Sequence, residues 1–381
     1  MGNQMRWSLK IGQISGIDIK IHFTFIFVIM WAAVQGSSGL GGLRGALFAA
    51  VSILLLFACV TLHELGHSLV ARRLGVRVRD ITLLPIGGIA RLETLPQKPL
   101  HELLIALVGP AVNFVLAIGL GLTLVLVGSA GFFLNLGSLP NSPSGAYGLL
   151  VNPRSTLSLI IYLLGANLIL ALFNLIPAFP MDGGRVLRSL LATLTSYPRA
   201  TRIAARVGQV MAVGLILVAL SPVGNISLVL VALFVFTGAS LEDQAVQVRA
   251  ILHGLHVRNA MPVRTARAVS PDDTLADVME FNFRNHQYDF PVVRDGVLVG
   301  ILSRDDLLAA IRRSGGHVRV EQAMQREFPV VSPDDQLLQA QQLIAQTGLS
   351  VLPVFDGGYF MGLISLQDIN RAYANISWRR R

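Results

Sequence analysis

The sequence predicts a polytopic α-helical membrane protein, with about six spans and a re-entrant β-hairpin, followed by a soluble α/β domain made of two copies of one unit. Three observations carry this. Of 381 residues, 53% are hydrophobic and 14% charged, a balance too apolar for an ordinary soluble chain. The long charge-free runs fall almost entirely within residues 21–240, and the composition changes near Leu241. Beyond that point a pattern of residues recurs at a constant offset.

The apolar segments lie at about 21–38, 46–71, 103–127, 157–178, 203–220 and 226–240, the last two short for a span. Ahead of them, Met1 to His22 carries Arg6, Lys10 and Lys20 before an apolar run, as a signal peptide does. No small-residue cleavage site leads into a soluble domain, so the segment is expected to be retained. The net charge of +9 divides unevenly. Residues 257–381 hold 14 basic and 14 acidic residues, leaving 17 and 8 upstream (31−14 and 22−14). A charge-balanced soluble half has no footprint for nucleic acid, and the basic excess reads as a topology signal. With the N-terminus in the cytoplasm, the loops at 72–102 and 179–202 and the C-terminal domain share that side, and only Arg44 and Arg154 fall outside it. The expectation is a multi-pass protein of the inner or plasma membrane with both termini cytoplasmic and membrane lipid around it. Cys59 is the sole cysteine, which excludes an intrachain disulfide and a cysteine-based metal cluster.

Within the 72–102 loop, Leu83-Leu84-Pro85-Ile86-Gly87-Gly88-Ile89-Ala90 is apolar, β-favouring and broken by glycine. Such a stretch suits a short hairpin dipping toward the bilayer. Lipid does not tolerate an open strand edge, so the hairpin must pack on protein or line a wet cavity.

The repeat is explicit. Val269-Ser270-Pro271-Asp272-Asp273 returns as Val331-Ser332-Pro333-Asp334-Asp335, Pro291-Val292 as Pro353-Val354, and Gly300-Ile301-Leu302-Ser303 as Gly362-Leu363-Ile364-Ser365, each 62 residues on (332−270, 353−291, 365−303). Two β-α-β-β-α units are the natural reading. In each, an apolar strand runs into a Ser-x-x-Asp helix start, Ser303 to Asp306 and Ser365 to Asp368, a pattern that helix capping alone explains. The expected organisation is a membrane domain over 1–242, a linker over 243–256, and repeats over 257–315 and 316–381.

The chemistry concentrates in His63-Glu64-Leu65-Gly66-His67, an HExxH pattern near the end of the second span. On a helix the two histidines stand one turn apart on one face and reach one tetrahedral metal, with Glu64 beside them. Three ionisable side chains inside a span are costly, and by default they mark a functional site. A catalytic zinc site takes a third protein ligand. Of the eight upstream acids, Asp182 stands out, because it follows the fourth span in a segment, Asn174 to Arg185, whose prolines and glycines interrupt regular helix. A carboxylate there can meet the histidines of span two. Close packing of span three through Gly109 and Asn113 is the expected role of those two residues, and packing likewise that of Cys59.

In these residues the chain resembles the site-2 protease family of intramembrane zinc metalloproteases, in the subgroup with an appended CBS pair. The resemblance rests on His63 to His67, on Gly109-Pro110-Ala111-Val112-Asn113, and on Asn174 to Gly183, with the repeats matching the CBS pair. It implies one zinc ion per chain held by His63, His67 and Asp182, with Glu64 as the general base. It also implies that Asn174 helps position the substrate backbone and that Gly87, Gly88 and Ile89 pair with an extended substrate strand. The implied substrates are membrane-tethered regulators such as an anti-sigma factor or a sigma-factor precursor. A CBS pair implies an adenine nucleotide contacted by Ser303, Asp306, Ser365 and Asp368, and a homodimer formed through the pair. The alternatives from other classes are a CBS-regulated membrane transporter and a catalytically inactive membrane scaffold.

Overall fold

A computed structural model of the chain describes residues 7–40, 42–85, 87–92, 98–126, 156–221, 225–262, 266–285 and 287–379. Arg6, Ile86, Val127 and Arg154 lie outside them. The chain divides into two compact units, Asn3–Gln244 and Ala245–Arg381.

In the first unit, the alternation Ile17-Asp18-Ile19-Lys20-Ile21-His22 has the period of a strand, and it forms one. This strand, β2 (Ile17–His22), pairs antiparallel with β1 (Ser8–Ile14). The turn between them places Ser15 and Gly16 at φ 49° and 75°, the two positive values a tight hairpin of this twist requires. The run expected to begin a span at residue 21 therefore enters helix only at α1 (Phe25–Leu40), which is followed by α2 (Leu43–Arg73). These two helices make the long connection that a parallel pair needs, and β3 (Val78–Leu84) returns beside β2 before turning into β4 (Gly87–Leu92). The sheet order is β1-β2-β3-β4.

Ile17, Ile19, Ile81 and Leu83 bury one face of this sheet against Leu65 of α2. The hairpin that cannot face lipid thus packs on the helix that carries the HExxH pattern. Across the strands, Asp80 is fully buried, with Lys20 Nζ at 2.7 Å and Arg91 Nε at 2.5 Å. Burial alone would raise its carboxyl; the hydrogen bonds from Arg91 and Lys20 hold it below the ordinary carboxylate range.

The remaining helices of the unit are α3 (Pro99–Leu126), α4 (Thr156–Asn174), α5 (Asp182–Ala192), α6 (Tyr197–Ala219) and α7 (Ile226–His253). Among the described residues, α2, α3, α6 and α7 are long and apolar enough to cross a membrane, while 25–38 and 158–174 are shorter apolar helices. The last two spans are longer than their apolar runs, at 23 and 28 residues. Backbone hydrogen bonding continues past the end of the hydropathy, through Arg199, Arg202 and Arg206 in α6 and through Glu242 and Asp243 in α7. For the same reason, 243–253 is helix where a linker was expected.

The second unit contains α8 (Leu275–Asn285), β5 (Phe290–Arg294), β6 (Val297–Leu302) and α9 (Arg304–Ser314), then α10 (Leu337–Thr347), β7 (Val351–Asp356), β8 (Tyr359–Ser365) and α11 (Leu366–Arg379). Each hairpin gains a parallel bridge from the head of its repeat, Val269 to Val292 and Val331 to Val354, so the β-α-β-β-α order is realised twice. Sequence repeats and packed modules are nevertheless cut differently. Leu252, Val257 and Ala260, which precede the first repeat's helices, bury in the core of the second, with Val257 N–H donating to Asp335 O at 2.9 Å. Val320 buries in the core of the first, and its N–H donates to Asp273 O at 2.9 Å. The boundaries at 257–315 and 316–381 follow the repeat, whereas the lead-in segments are exchanged in space. A shared apolar layer of Ile301, Val351 and Leu363 joins the copies.

Candidate metal centre

The HExxH residues lie in the unbroken 31-residue helix α2, so His63 and His67 share a face. That face meets α3 at very short range, because glycine stands at both contact points. A Cβ on Gly66 would come 2.9 Å from Val112 Cγ2, and a Cβ on Gly109 would come 2.1 Å from His67 Nε2 and 2.7 Å from His63 Cε1. Only a hydrogen fits between α3 and the imidazoles.

The close approach brings hydrogen-bond acceptors to the back of both rings. His63 Nδ1 lies 2.8 Å from Asn113 Oδ1, and His67 Nδ1 lies 2.6 Å from the carbonyl oxygen of Ile105. Each Nδ1–H donates, which leaves the lone pair on each Nε2. Asn113, expected to serve packing, therefore orients a histidine; Gly109 does the packing. A polar residue in a span, one turn from Gly109, was the available signal.

Asp182 opens α5, after a cis Phe179–Pro180 bond and a tight loop. Gly183 and Gly184 let the helix start press on that loop, since a Cβ on Gly183 would come 2.2 Å from Ile176 O and one on Gly184 2.7 Å from the carbonyl carbon of Ala178. The loop is backed by Ala212, Ala232 and Val235 around Ala178 and Met181, and by Ala204, Ala205 and Ala239 around Phe179. The apolar helices α6 and α7 thus support the segment that delivers the carboxylate.

The result is a buried triangle of three electron-pair donors. His63 Nε2 and His67 Nε2 are 3.0 Å apart, and Asp182 Oδ2 is 3.0 Å from His67 Nε2 and 3.2 Å from His63 Nε2. Three acceptors facing one another require a cation between them. The edge of a tetrahedron with metal–ligand bonds of ~2.0–2.1 Å is about 3.3 Å, and two imidazole nitrogens with one carboxylate are a zinc donor set that leaves a fourth position open. The residues fit zinc.

Glu64 is half-buried beside the triangle and lies under β4: a Cβ on Gly88 would come 2.6 Å from Glu64 Cγ and 3.4 Å from its Oε1. Gly87 and Gly88 are half-buried and Ile89 is exposed, on a strand paired on one side only among the described residues. Asn174 is half-buried at the end of α4, eight residues before Asp182 (182−174). In the second unit, the four repeat residues form helix starts. Ser303 caps α9, accepting from Asp306 N–H at 3.1 Å and donating to Asp306 Oδ2 at 2.6 Å. Ser365 and Asp368 repeat the pattern at 3.2 and 2.6 Å.

Two histidines one turn apart in an apolar helix, a carboxylate from a distant broken segment, and an unligated glutamate beside them define a metallopeptidase centre set in a membrane protein. The comparisons agree. The family model for peptidase family M50 matches residues 51–218, and the CBS domain model matches 257–313 and 320–375. A zinc metalloprotease of Methanocaldococcus jannaschii is 36% identical over 368 residues, spanning 97% of this chain and 96% of the relative. Stage IV sporulation protein FB of Bacillus subtilis is 27% identical over 186 residues, 49% of this chain and 52% of that protein. A solved site-2 protease from Methanocaldococcus jannaschii is 39% identical and covers 62% of this chain and 95% of that one, at a TM-score of 0.41. This chain belongs to peptidase family M50, the site-2 proteases, in the form that carries a CBS pair. It is a zinc metalloendopeptidase with several membrane helices.

Proposed function

We propose that the enzyme hydrolyses peptide bonds in or near the transmembrane segments of membrane-tethered proteins, with one zinc ion held by His63, His67 and Asp182 and with Glu64 as general acid and base. The observation that carries the reading is the convergence of His63 Nε2, His67 Nε2 and Asp182 Oδ2 within 3.0–3.2 Å, with Glu64 beside them. Zinc bound there supplies Lewis acidity, polarising a carbonyl and making water nucleophilic near neutral pH. Glu64 takes the proton from the attacking water and returns it to the departing amine nitrogen. Asn113 and the Ile105 carbonyl keep both imidazoles in the tautomer that presents Nε2. The substrate must arrive unwound, and its freed backbone pairs with the open edge of β4 at Gly87, Gly88 and Ile89. Asn174 positions that backbone.

The preferred substrates are membrane-tethered regulators of the anti-sigma-factor or sigma-precursor kind. Both termini and the CBS pair face the cytoplasm, supported by the distribution of basic residues. The pair dimerises and takes an adenine nucleotide, with Asp306 and Asp368 toward ribose and Ser303 and Ser365 toward phosphate.

The test is Glu64→Gln in the full-length chain with a tethered substrate. Cleavage falls by about 10²–10⁴-fold while zinc stays near one per chain. Retained cleavage, or zinc lost with the carboxylate, would remove Glu64 from the role of base.

A further inference from the structure

Arg188 is 1% exposed and heads the large side chains that are fully buried. It stands on α5, six residues after Asp182 (188−182). Its Nε donates to Glu102 Oε1 at 2.9 Å, its NH2 group donates to the same oxygen, and its NH1 group donates to Glu242 Oε1 at 2.5 Å. The guanidinium lies over the rings of Phe179 and Tyr197, each 4.9 Å from the centroid, and Tyr197 Oη donates to Glu102 Oε1 at 3.3 Å. One side chain thus ties together α5, the loop before Asp182 at Phe179, the start of α6, α7 at Glu242, and α3 at Glu102.

The contact with α3 matters most. Glu102 is three residues before Ile105, whose carbonyl holds His67, and the same helix carries Gly109 and Asn113. Arg188 therefore connects the helix that delivers the carboxylate ligand to the helix that orients both histidines. Burying such a charge cluster is a poor source of stability, because desolvation offsets much of the attraction and apolar side chains of similar volume do as well. What a planar, forked and always charged group supplies is a fixed geometry with respect to several partners.

We propose that Arg188 is a positioning residue for the metal centre: by fixing α5 against α3 it holds Asp182 Oδ2 at its place opposite His63 and His67. The inference rests on the reading of that triangle as the zinc site. Its readout is zinc affinity of the purified full-length chain, measured by competition with a chelator, alongside kcat and KM on a tethered substrate.

Arg188→Met alone would leave Glu102 buried and unpaired, so the informative variant is Arg188→Met with Glu102→Gln, which removes both charges. This double variant is expected to lose zinc at a chelator concentration at least about tenfold lower than the wild type, with kcat reduced and KM little changed. Arg188→Lys is expected not to restore the affinity, since an ammonium lacks the fork. Glu242→Gln, at a partner 34% exposed, leaves the buried pair intact and is expected to weaken zinc by a smaller factor. If the double variant does not fold, Arg188→Lys decides, since it keeps the charge beside Glu102 and loses only the fork, and unchanged zinc affinity there overturns the proposal. Unchanged affinity and kcat in a folded double variant also overturn it. A wild-type chain that binds no zinc would instead refute the metal-site reading itself.

Discussion

The two units use polar side chains on helices in opposite ways. In the CBS unit, the hydroxyls of Ser303 and Ser365 find their partners three residues on, in Asp306 and Asp368 of the same helix start, and only the Asp306 carboxylate reaches further, accepting from Gln325 Nε2 at 2.8 Å. In the membrane unit, the three donor atoms of His63, His67 and Asp182 find one another across 115 residues of chain, and the backs of the imidazoles are held by a third helix. A polar group satisfied by its own turn shapes a helix end. A polar group in a span with no local partner must be met by distant elements, and the fold has to bring them.

The contrast can be broken most strongly at Gly109. Gly109→Ala places a methyl 2.1 Å from His67 Nε2, where Gly66 also holds the two helices close, so an imidazole or a helix must shift. Near-complete loss of zinc by metal analysis, with helix content retained in circular dichroism, is the expected result; full zinc occupancy would show that the helices separate easily. A middle-sized effect is expected at Asn113. Asn113→Leu keeps the volume in the span but removes the acceptor for His63 Nδ1–H, and zinc affinity by chelator competition should fall about 10–100-fold. An unchanged affinity would return Asn113 to a packing role. The smallest effect belongs to the locally satisfied group. Ser303→Ala removes the cap of α9 and should cost about 1 kcal/mol, lowering the melting temperature of the CBS unit by ~4 °C with zinc content unchanged. A change in zinc content there would mean that the cap is not a local matter.

Arg185 and Arg188 show why part of the centre was hidden in the sequence. They stand three residues apart in one segment and read alike. Only packing makes the first half-buried and the second fully enclosed between two carboxylates and two rings. β1 and β2 were hidden for a different reason. The period-two alternation of Ile17 to His22 was legible, but lysines ahead of an apolar run also mark the entry to a span, and the strand acquires its meaning only from β3, some sixty residues later. The exchange of lead-in segments between the CBS repeats is invisible in the same way, because a repeat in sequence carries no record of which core each copy fills.

By itself the sequence determined the apolar spans, the 62-residue repeat, the two histidines on one helical face and the singular Asp182. All of these follow from composition, period and spacing, which are properties of a chain segment taken alone. Tertiary structure decided the rest. It turned Asn113 from packing to orientation, laid β4 over Glu64, buried Arg188 rather than Arg185, and set Asp182 Oδ2 at 3.0 Å from His67 Nε2. Each of these is a contact between elements far apart in sequence, fixed by how closely glycines let helices approach and by which polar groups are left without a partner when water is removed.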